Sequence, residues 1–199
     1  DYAAARTLYE QSLAPRREIG DQQGTANSLN NLGLVAYVQG DYAAARALHE
    51  QSLALARQIG DKAIIAYALL GLGLDDLAQI RTDSPAAVQA ARQFMLESLA
   101  IRQEMGQQFR VISSLVGLAG AAMRLGEAHR AARLLGAVAS ALAVLQAALE
   151  AEVRSLHEQT QAAAQAALGE ASFRTAWAEG AAQTLDQAAA DELAGQGSS

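Results

Sequence analysis

Apolar residues recur every three or four positions along most of the chain, which is the spacing of an amphipathic α-helix. In residues 25–39 the recurring positions are Ala26, Leu29, Leu32 and Ala36. The pattern stops at Gly40-Asp41, where glycine suits the end of one helix and aspartate the N-cap of the next. The sequence therefore predicts two helices joined by a very short, antiparallel connection.

The next segment, residues 42–59, has the same pattern and ends at Gly60-Asp61. Its stripe consists of Ala45, Leu48, Ser52, Leu53 and Ala56. A further helix is expected to begin after Ser84, because serine is a good N-cap and Pro85 suits the first helical position. That helix is expected to end at Gly106.

These helices belong to a repeated unit. Residues 1–21 recur almost unchanged as residues 41–61, a looser copy begins near Ala90, and a fourth starts at Glu127. Six residues, from Ile80 to Pro85, lengthen one connection. A self-similar pattern of this period predicts an array of stacked helix pairs, and hence an all-α superhelix.

Composition narrows the possible functions. The chain has no cysteine, which excludes disulfides, thiolate catalysis and cysteine-based zinc sites. Its net charge of −6 opposes direct nucleic-acid binding, which depends on clustered basic residues. No apolar run approaches the length of a membrane span, so we expect no membrane insertion and a cytoplasmic location.

Few side chains indicate reaction chemistry. His49, His129 and His157 lie in different predicted helices, without a partner at metal-ligand spacing, and are interpreted as surface or groove-lining residues. Adjacent Asp75 and Asp76 point about 100° apart on a helix, so we expect one solvated aspartate and one paired with a nearby arginine. For Asp76 we expect a polar partner or water. The sequence predicts no enzyme and no cofactor or metal; a helical enzyme remains a third possibility.

The repeat resembles the tetratricopeptide repeat in its form of about forty residues, over residues 1 to about 145. The matching residues are Leu32, Gly33, Gly40, Ala45, Ser52, Leu72, Gly73, Leu118 and Gly126. Asp76 departs from the pattern, since it replaces the small residue found at Ala36. The resemblance implies a right-handed superhelix whose first helices line a concave groove for a protein or peptide. Carried over position by position, it places in that groove Asn27, Asn30, Asn31, Leu34, Tyr37, Tyr67, Leu70, Leu74, Ser113, Gly117 and Arg124.

The expected groove is rich in amide side chains, which can both donate to and accept from a peptide backbone. Arg124 is its only expected cation, which disfavours the clamp that captures chaperone C-termini. Alternatively, some of these residues pack only against neighbouring helices or domains.

The C-terminal part resembles the end of the helical sensor region of bacterial STAND- and LuxR-type signal-transduction ATPases and transcriptional regulators. The resemblance is carried by residues 131–137, 167–173, 176–180 and 184–188. We expect repeats over residues 1–146, capping helices over 147–194 and a flexible tail over 195–199. Phe173 and Trp177, one helical turn apart, are predicted to be buried against the preceding helix and to close the array.

By resemblance, the sequence predicts a protein- or peptide-binding sensor or autoregulatory region of such a regulator, whose partner could be another domain of the same polypeptide. The alternative is a free-standing scaffold for assembling proteins. Because the chain opens inside a repeat, we expect a further segment before residue 1. The sequence leaves the oligomeric state open.

Overall fold

The computed structural model describes residues 2–80 and 84–195, and these residues form nine α-helices and no strands. The helices are α1 (Tyr2–Glu18), α2 (Gln22–Val38), α3 (Tyr42–Ile59), α4 (Lys62–Gln79), α5 (Pro85–Glu104), α6 (Gln108–Arg124), α7 (Ala128–Leu145), α8 (Ala151–Ala181) and α9 (Leu185–Ala194). The predicted all-α fold is confirmed.

The predicted helix boundaries agree closely with the structure. Helix α3 has the predicted bounds, and α2 begins three residues earlier than predicted. Gly40 adopts a left-handed φ of 82°, and the Asp41 carboxylate accepts a hydrogen bond from the Ala44 amide at 3.1 Å. Ser84 caps α5 as predicted, and Pro85 is its first residue. The Gly-Asp pair thus marks a helix boundary through backbone conformation and capping.

The helices pack in two layers. Each helix from α1 to α7 contacts the next along the chain, and α2, α4, α6 and α8 also contact one another in series. These four helices form the inner layer, while α1, α3, α5 and α7 form the outer one. Helix α8 also contacts α2, so the inner layer curves back towards its first member. This curvature encloses the cavities described below.

A recurring serine joins the layers. The Ser52 hydroxyl donates to the Ala26 carbonyl at 2.9 Å, and the Ser98 hydroxyl donates to the Ala66 carbonyl at 2.7 Å. Ser52 and Ser98 occupy the same repeat position, and both are fully buried. Because a buried hydroxyl without a partner would destabilise the fold, this bond explains a polar residue on an otherwise apolar stripe.

The core is densest around α6, whose residues from Val111 to Ala122 are all buried. Leucines from α4, α5 and α7 surround it. Helix α9 packs across α5, α6 and α7, and the buried Glu192 carboxylate accepts hydrogen bonds from Arg130 at 2.6 and 2.8 Å. Helix α6 is therefore the central element of the C-terminal half.

Helix α8 has a break at Gly169, where φ is 73° and ψ is 162°. Beyond the break, the Phe173 and Trp177 rings lie 5.4 Å apart and pack with Ala122, Ala131 and Ala132. The predicted burial is confirmed for Phe173, whereas Trp177 is half-buried. Of the predicted C-terminal tail, residues 196–199 lie outside the described residues.

Among the described helices, α7 is long and apolar enough to cross a membrane, judged by length and composition alone. The expectation that no segment comes near this limit is thus corrected. Half of the residues of α7 are buried inside the protein, against α6 and α8. Core helices pass the same test, because they too are apolar around much of their circumference.

Candidate ligand-binding groove

A cavity of about 450 Å³ lies inside the curve of the inner layer, between α2, α4 and the start of α8. We call it the inner cavity. Its lining residues are Asn27, Asn30, Asn31, Leu34, Tyr37, His49, Tyr67, Leu70, Gly71, Leu74, Arg110, Glu150, Ala151 and Glu152. Its volume is within the range of pockets that hold small ligands or short peptide segments.

The α2 wall follows from helix periodicity. Asn27, Asn30, Asn31 and Leu34 are spaced by three, one and three residues, so they share one face of α2. The buried residues Leu29, Leu32 and Val35 occupy other faces and pack into the core. The amide side chains are therefore directed into the inner cavity.

Eight of the eleven predicted groove residues line the inner cavity: Asn27, Asn30, Asn31, Leu34, Tyr37, Tyr67, Leu70 and Leu74. The other three do not. Ser113 is buried and donates to Glu150 at 2.6 Å, Gly117 faces the Met95 side chain, and Arg124 borders a different cavity. The start of α8 covers α6, as shown by the contact between Gly120 and Leu156, so α6 presents little open surface.

A second cavity, of about 470 Å³, lies beside the first, between α2, α4, α6 and α8. We call it the adjacent cavity. The two cavities share four lining residues: Tyr37, Leu74, Ala151 and Glu152. The tilted Tyr37 and Tyr42 rings, with centroids 5.4 Å apart, form part of its wall. Together the cavities form an elongated space whose junction is at Glu152.

A group of arginines and glutamates closes one side of the inner cavity. Arg110 forms an ion pair with Glu150, which also accepts the Ser113 hydrogen bond. Arg110 and Arg102 both stack on the Tyr67 ring, at 4.9 and 5.2 Å from its centroid.

Arg102 is only 1% exposed, and it donates a hydrogen bond to the Arg110 carbonyl. Burial lowers the pKa of Arg102 to about 10, so the guanidinium remains charged at neutral pH. Arg102 and Arg110 both contact groups of the protein itself, although Nε of Arg102 is buried without a hydrogen bond.

His49 and Asp75 form a buried pair in the wall. His49 Nδ1 lies 2.6 Å from Asp75 Oδ2; His49 is 3% exposed and Asp75 fully buried. Burial raises the pKa of Asp75, and the hydrogen bond from His49 opposes this increase. Asp75 holds the ring by Nδ1, which leaves Nε2 without a hydrogen bond to any described residue. Of the two predicted roles for His49, the groove-lining one agrees with the structure, because the buried ring borders the cavity.

The repeat explains how this imidazole fits. A Cβ atom added at Gly33 or at Gly71 would come within 2.6 Å of the His49 ring, so the ring fills a space between two glycines. The equivalent space one repeat later, between Gly73 and Gly117, is filled by Met95. There Ala121 stands where Asp75 stands in the first space. One space between helices is therefore apolar, and its repeat-equivalent holds an imidazole and a carboxylate.

The predictions for the other titratable residues were confirmed in part. Asp76 forms an ion pair with Arg46, which confirms its predicted polar partner. The expectation of one solvated aspartate in the Asp75-Asp76 pair was wrong, because Asp75 is enclosed beside His49. His129 lies on the surface, 3.8 Å from Glu179, and His157 is half-buried.

Two acceptors in the inner cavity are incompletely satisfied by the protein itself. Asn30 Oδ1 is buried without a hydrogen bond. Glu152 forms no ion pair with a described residue, and burial together with the neighbouring Glu150 raises its pKa. Burial also raises the pKa of Tyr37 to about 12. Buried polar groups without partners are costly, so these positions are suited to contacts from a ligand.

The lining of the inner cavity presents several hydrogen-bonding groups. Its lining contains no serine, threonine or cysteine that His49 could activate as a nucleophile. Within residues 2–80 and 84–195, no group of three His, Asp or Glu side chains is arranged to hold a metal ion. What the lining offers is amides, an imidazole nitrogen, carboxylates and aromatic rings.

Sequence reasoning missed the buried pairing of His49 with Asp75, and it missed Arg110, Glu150 and Glu152 as cavity residues. For His49 a signal existed, since its repeat-equivalents are Tyr9 and Met95 and those of Asp75 are Val35 and Ala121. Two polar replacements at apolar positions of the same unit indicate a buried pair. For Glu150 and Glu152 no repeat signal exists, because the connection from α7 to α8 has no counterpart in the other units.

Comparison with known families agrees with this architecture. A family model described as tetratricopeptide repeat matches residues 1–58 and, in an overlapping match, residues 24–84. No curated protein matches the chain. Residues 1–84 are thus similar to tetratricopeptide repeats, and α6 and α7 continue the same packing beyond the matched residues. Repeats of this family generally bind proteins or peptides and are typically non-enzymatic.

Proposed function

We propose that this chain is a peptide-binding module whose inner cavity holds an extended segment of a partner protein or of the same polypeptide. The observation that carries the proposal is the row of Asn27, Asn30 and Asn31 facing one cavity, with Asn30 Oδ1 buried and unpartnered. An asparagine amide can donate to a backbone carbonyl and accept from a backbone amide of the same peptide.

The shape of the space supports an elongated ligand. The inner and adjacent cavities meet at Tyr37, Leu74, Ala151 and Glu152, so a chain can run from one to the other. Leucine and tyrosine side chains alternate with polar groups along the walls, a mixture suited to side-chain pockets combined with backbone hydrogen bonds. Because the start of α8 covers part of the inner layer, we expect a short bound segment.

The test is selection of peptides from a random library on the purified chain, followed by affinity measurement of the selected sequences with groove variants. We expect Asn30→Ala combined with Asn31→Ala to weaken binding about tenfold or more, since each lost hydrogen bond is worth about 0.5–1.5 kcal/mol. Helical circular dichroism should remain that of the unchanged protein.

The matched control is Gln51→Ala combined with Gln58→Ala, which removes two exposed amides from outer helix α3. This variant should bind the selected peptides with unchanged affinity. Equal loss in both double variants, or none in the asparagine variant, would contradict the groove assignment. Failure to select any peptide would contradict the function itself.

We further propose that the module is the cytoplasmic sensor or autoregulatory part of a bacterial transcriptional regulator or signalling ATPase. Support comes from the resemblance of residues 131–137, 167–173, 176–180 and 184–188 to the end of such sensor regions. In this arrangement a bound peptide shifts an attached switch only if it binds one of its states more tightly.

Sequencing the coding DNA on both sides of this segment tests the regulatory proposal. An upstream nucleotide-binding module is the expected result. A stand-alone reading frame would instead favour the alternative function, a scaffold that assembles proteins through the same groove.

A further inference from the structure

The cations near the elongated space are already engaged within the protein. Arg110 is paired with Glu150 and stacked on Tyr67, and Arg102 is stacked on the same ring and bonded to the Arg110 carbonyl. Arg124, which borders the adjacent cavity, donates to the Ile80 carbonyl. A ligand carboxylate would have to compete with these internal acceptors.

In contrast, three acceptors of the inner cavity receive no hydrogen bond from a cation among the described residues. They are Nε2 of His49, Oδ1 of Asn30 and the carboxylate of Glu152. When Asp75 accepts the Nδ1 proton of a neutral imidazole, Nε2 is itself an acceptor. All three residues line the inner cavity, and a group with several N–H donors would satisfy their acceptors together.

Glu152 has the most specific position of the three, because it borders both cavities at their junction. Any segment that runs from one cavity into the other must pass it. Its carboxylate is half-buried and repelled by Glu150, with the charge of Arg110 as partial compensation. A positive charge at the junction would relieve both effects.

We propose that the peptide held in this space carries a basic residue, preferably arginine, whose side chain lies against Glu152 and donates to Asn30 and His49. A guanidinium has five N–H donors in a planar fork, which matches several acceptors better than a single ammonium group does. The Tyr37 ring, which also lies at the junction, provides a surface for the apolar stem and for a cation–π contact. This inference rests on the proposed function and identifies the chemistry of the ligand.

The experiment uses a positional-scanning library of hexapeptides with acetylated N-termini and amidated C-termini, so that side chains carry the only charges. We expect enrichment of arginine, and secondarily lysine, at one position. For the best peptide, replacing that arginine with neutral citrulline should weaken binding about tenfold. Glu152→Gln should weaken binding of the arginine peptide by a similar factor and should abolish the difference between arginine and citrulline.

The control is Glu158→Gln, which removes an equal charge from an exposed position on the same helix α8. It should leave both peptides with unchanged affinities, and circular dichroism should show that both variants remain folded. Selection of acidic or uncharged peptides, equal affinity of the arginine and citrulline peptides, or an unchanged preference in Glu152→Gln would overturn the basic anchor while leaving peptide binding intact. If no hexapeptide binds at all, the proposed function fails together with this inference.

Discussion

The pair His49 and Asp75 shows that the same space in successive repeats can be filled by either apolar or polar side chains. In both spaces two glycines leave room for a large side chain from an outer helix, and Met95 fills the second space without polar contacts. In the first space the imidazole requires the Asp75 carboxylate, which has no other hydrogen-bond partner among the described residues. Such a pair contributes little net stability, but breaking it is costly.

We therefore expect His49→Met alone to destabilise the chain by about 3–5 kcal/mol, because it leaves a buried carboxylate without its partner. His49→Met combined with Asp75→Ala reproduces the apolar space and should return stability to within about 1 kcal/mol of the unchanged protein. Urea unfolding followed by circular dichroism measures both values. If the double variant is as unstable as the single one, the pair has a structural role that the apolar repeat cannot replace.

At the scale of elements, the contact between α7 and the end of α8 depends on two glycines that face each other's backbones. A Cβ atom added at Gly180 would lie 1.7 Å from the Arg133 carbonyl oxygen, and one at Gly136 would lie 2.2 Å from that of Trp177. The helices therefore approach as closely as their backbones allow. This approach sets Phe173 and Trp177 against the alanines of α6 and α7.

Gly180→Ala should destabilise the protein by about 2 kcal/mol or more, because backbone cannot move aside as a flexible side chain can. The gain in helix propensity, about 1 kcal/mol, only partly offsets the loss. Gly195→Ala is the matched control, since a Cβ atom there meets nothing within 4 Å. Thermal unfolding of the two variants measures the loss, and we expect a lower melting temperature for Gly180→Ala than for Gly195→Ala. Equal melting temperatures would mean that the helices separate at negligible cost.

At the scale of the molecule, the contact of α8 with α2 links the two ends of the inner layer. In an open solenoid, each repeat contacts only its neighbours, and distant repeats can unfold separately. Here Ala151 and Glu152, at the start of α8, line a cavity together with residues of α2 and α4. Trp177, the single tryptophan, lies near the other end of α8, so its fluorescence reports on the unfolding of that end. The curvature thus favours one cooperative unfolding transition.

We expect urea unfolding monitored by Trp177 fluorescence to have the same midpoint as the loss of helical circular dichroism. Coincident transitions are the usual sign of two-state behaviour. A fluorescence midpoint clearly above that of circular dichroism would show that the N-terminal helices unfold first, contrary to this expectation.

The sequence by itself determined the elements and their order. Glycine and aspartate at fixed repeat positions mark the helix ends, and the spacing of apolar residues identifies the packed faces, because both effects act within a few residues along the chain. The repeat also located the α2 and α4 walls of the inner cavity, since equivalent positions in stacked pairs face the same way. Asn30 and Leu70 could be predicted for this reason.

Only the tertiary structure decided which residues meet across the array. Asp75 reaches His49 between two helices, and the connection after α7 brings Glu150 and Glu152 onto the inner layer. That same approach covers α6, so that Ser113 and Gly117 are buried and Arg124 lies elsewhere. Local periodicity fixes the face on which a side chain lies. The charge and shape of the cavity depend on contacts between segments far apart in the chain, whose distances follow from the curvature of the whole stack.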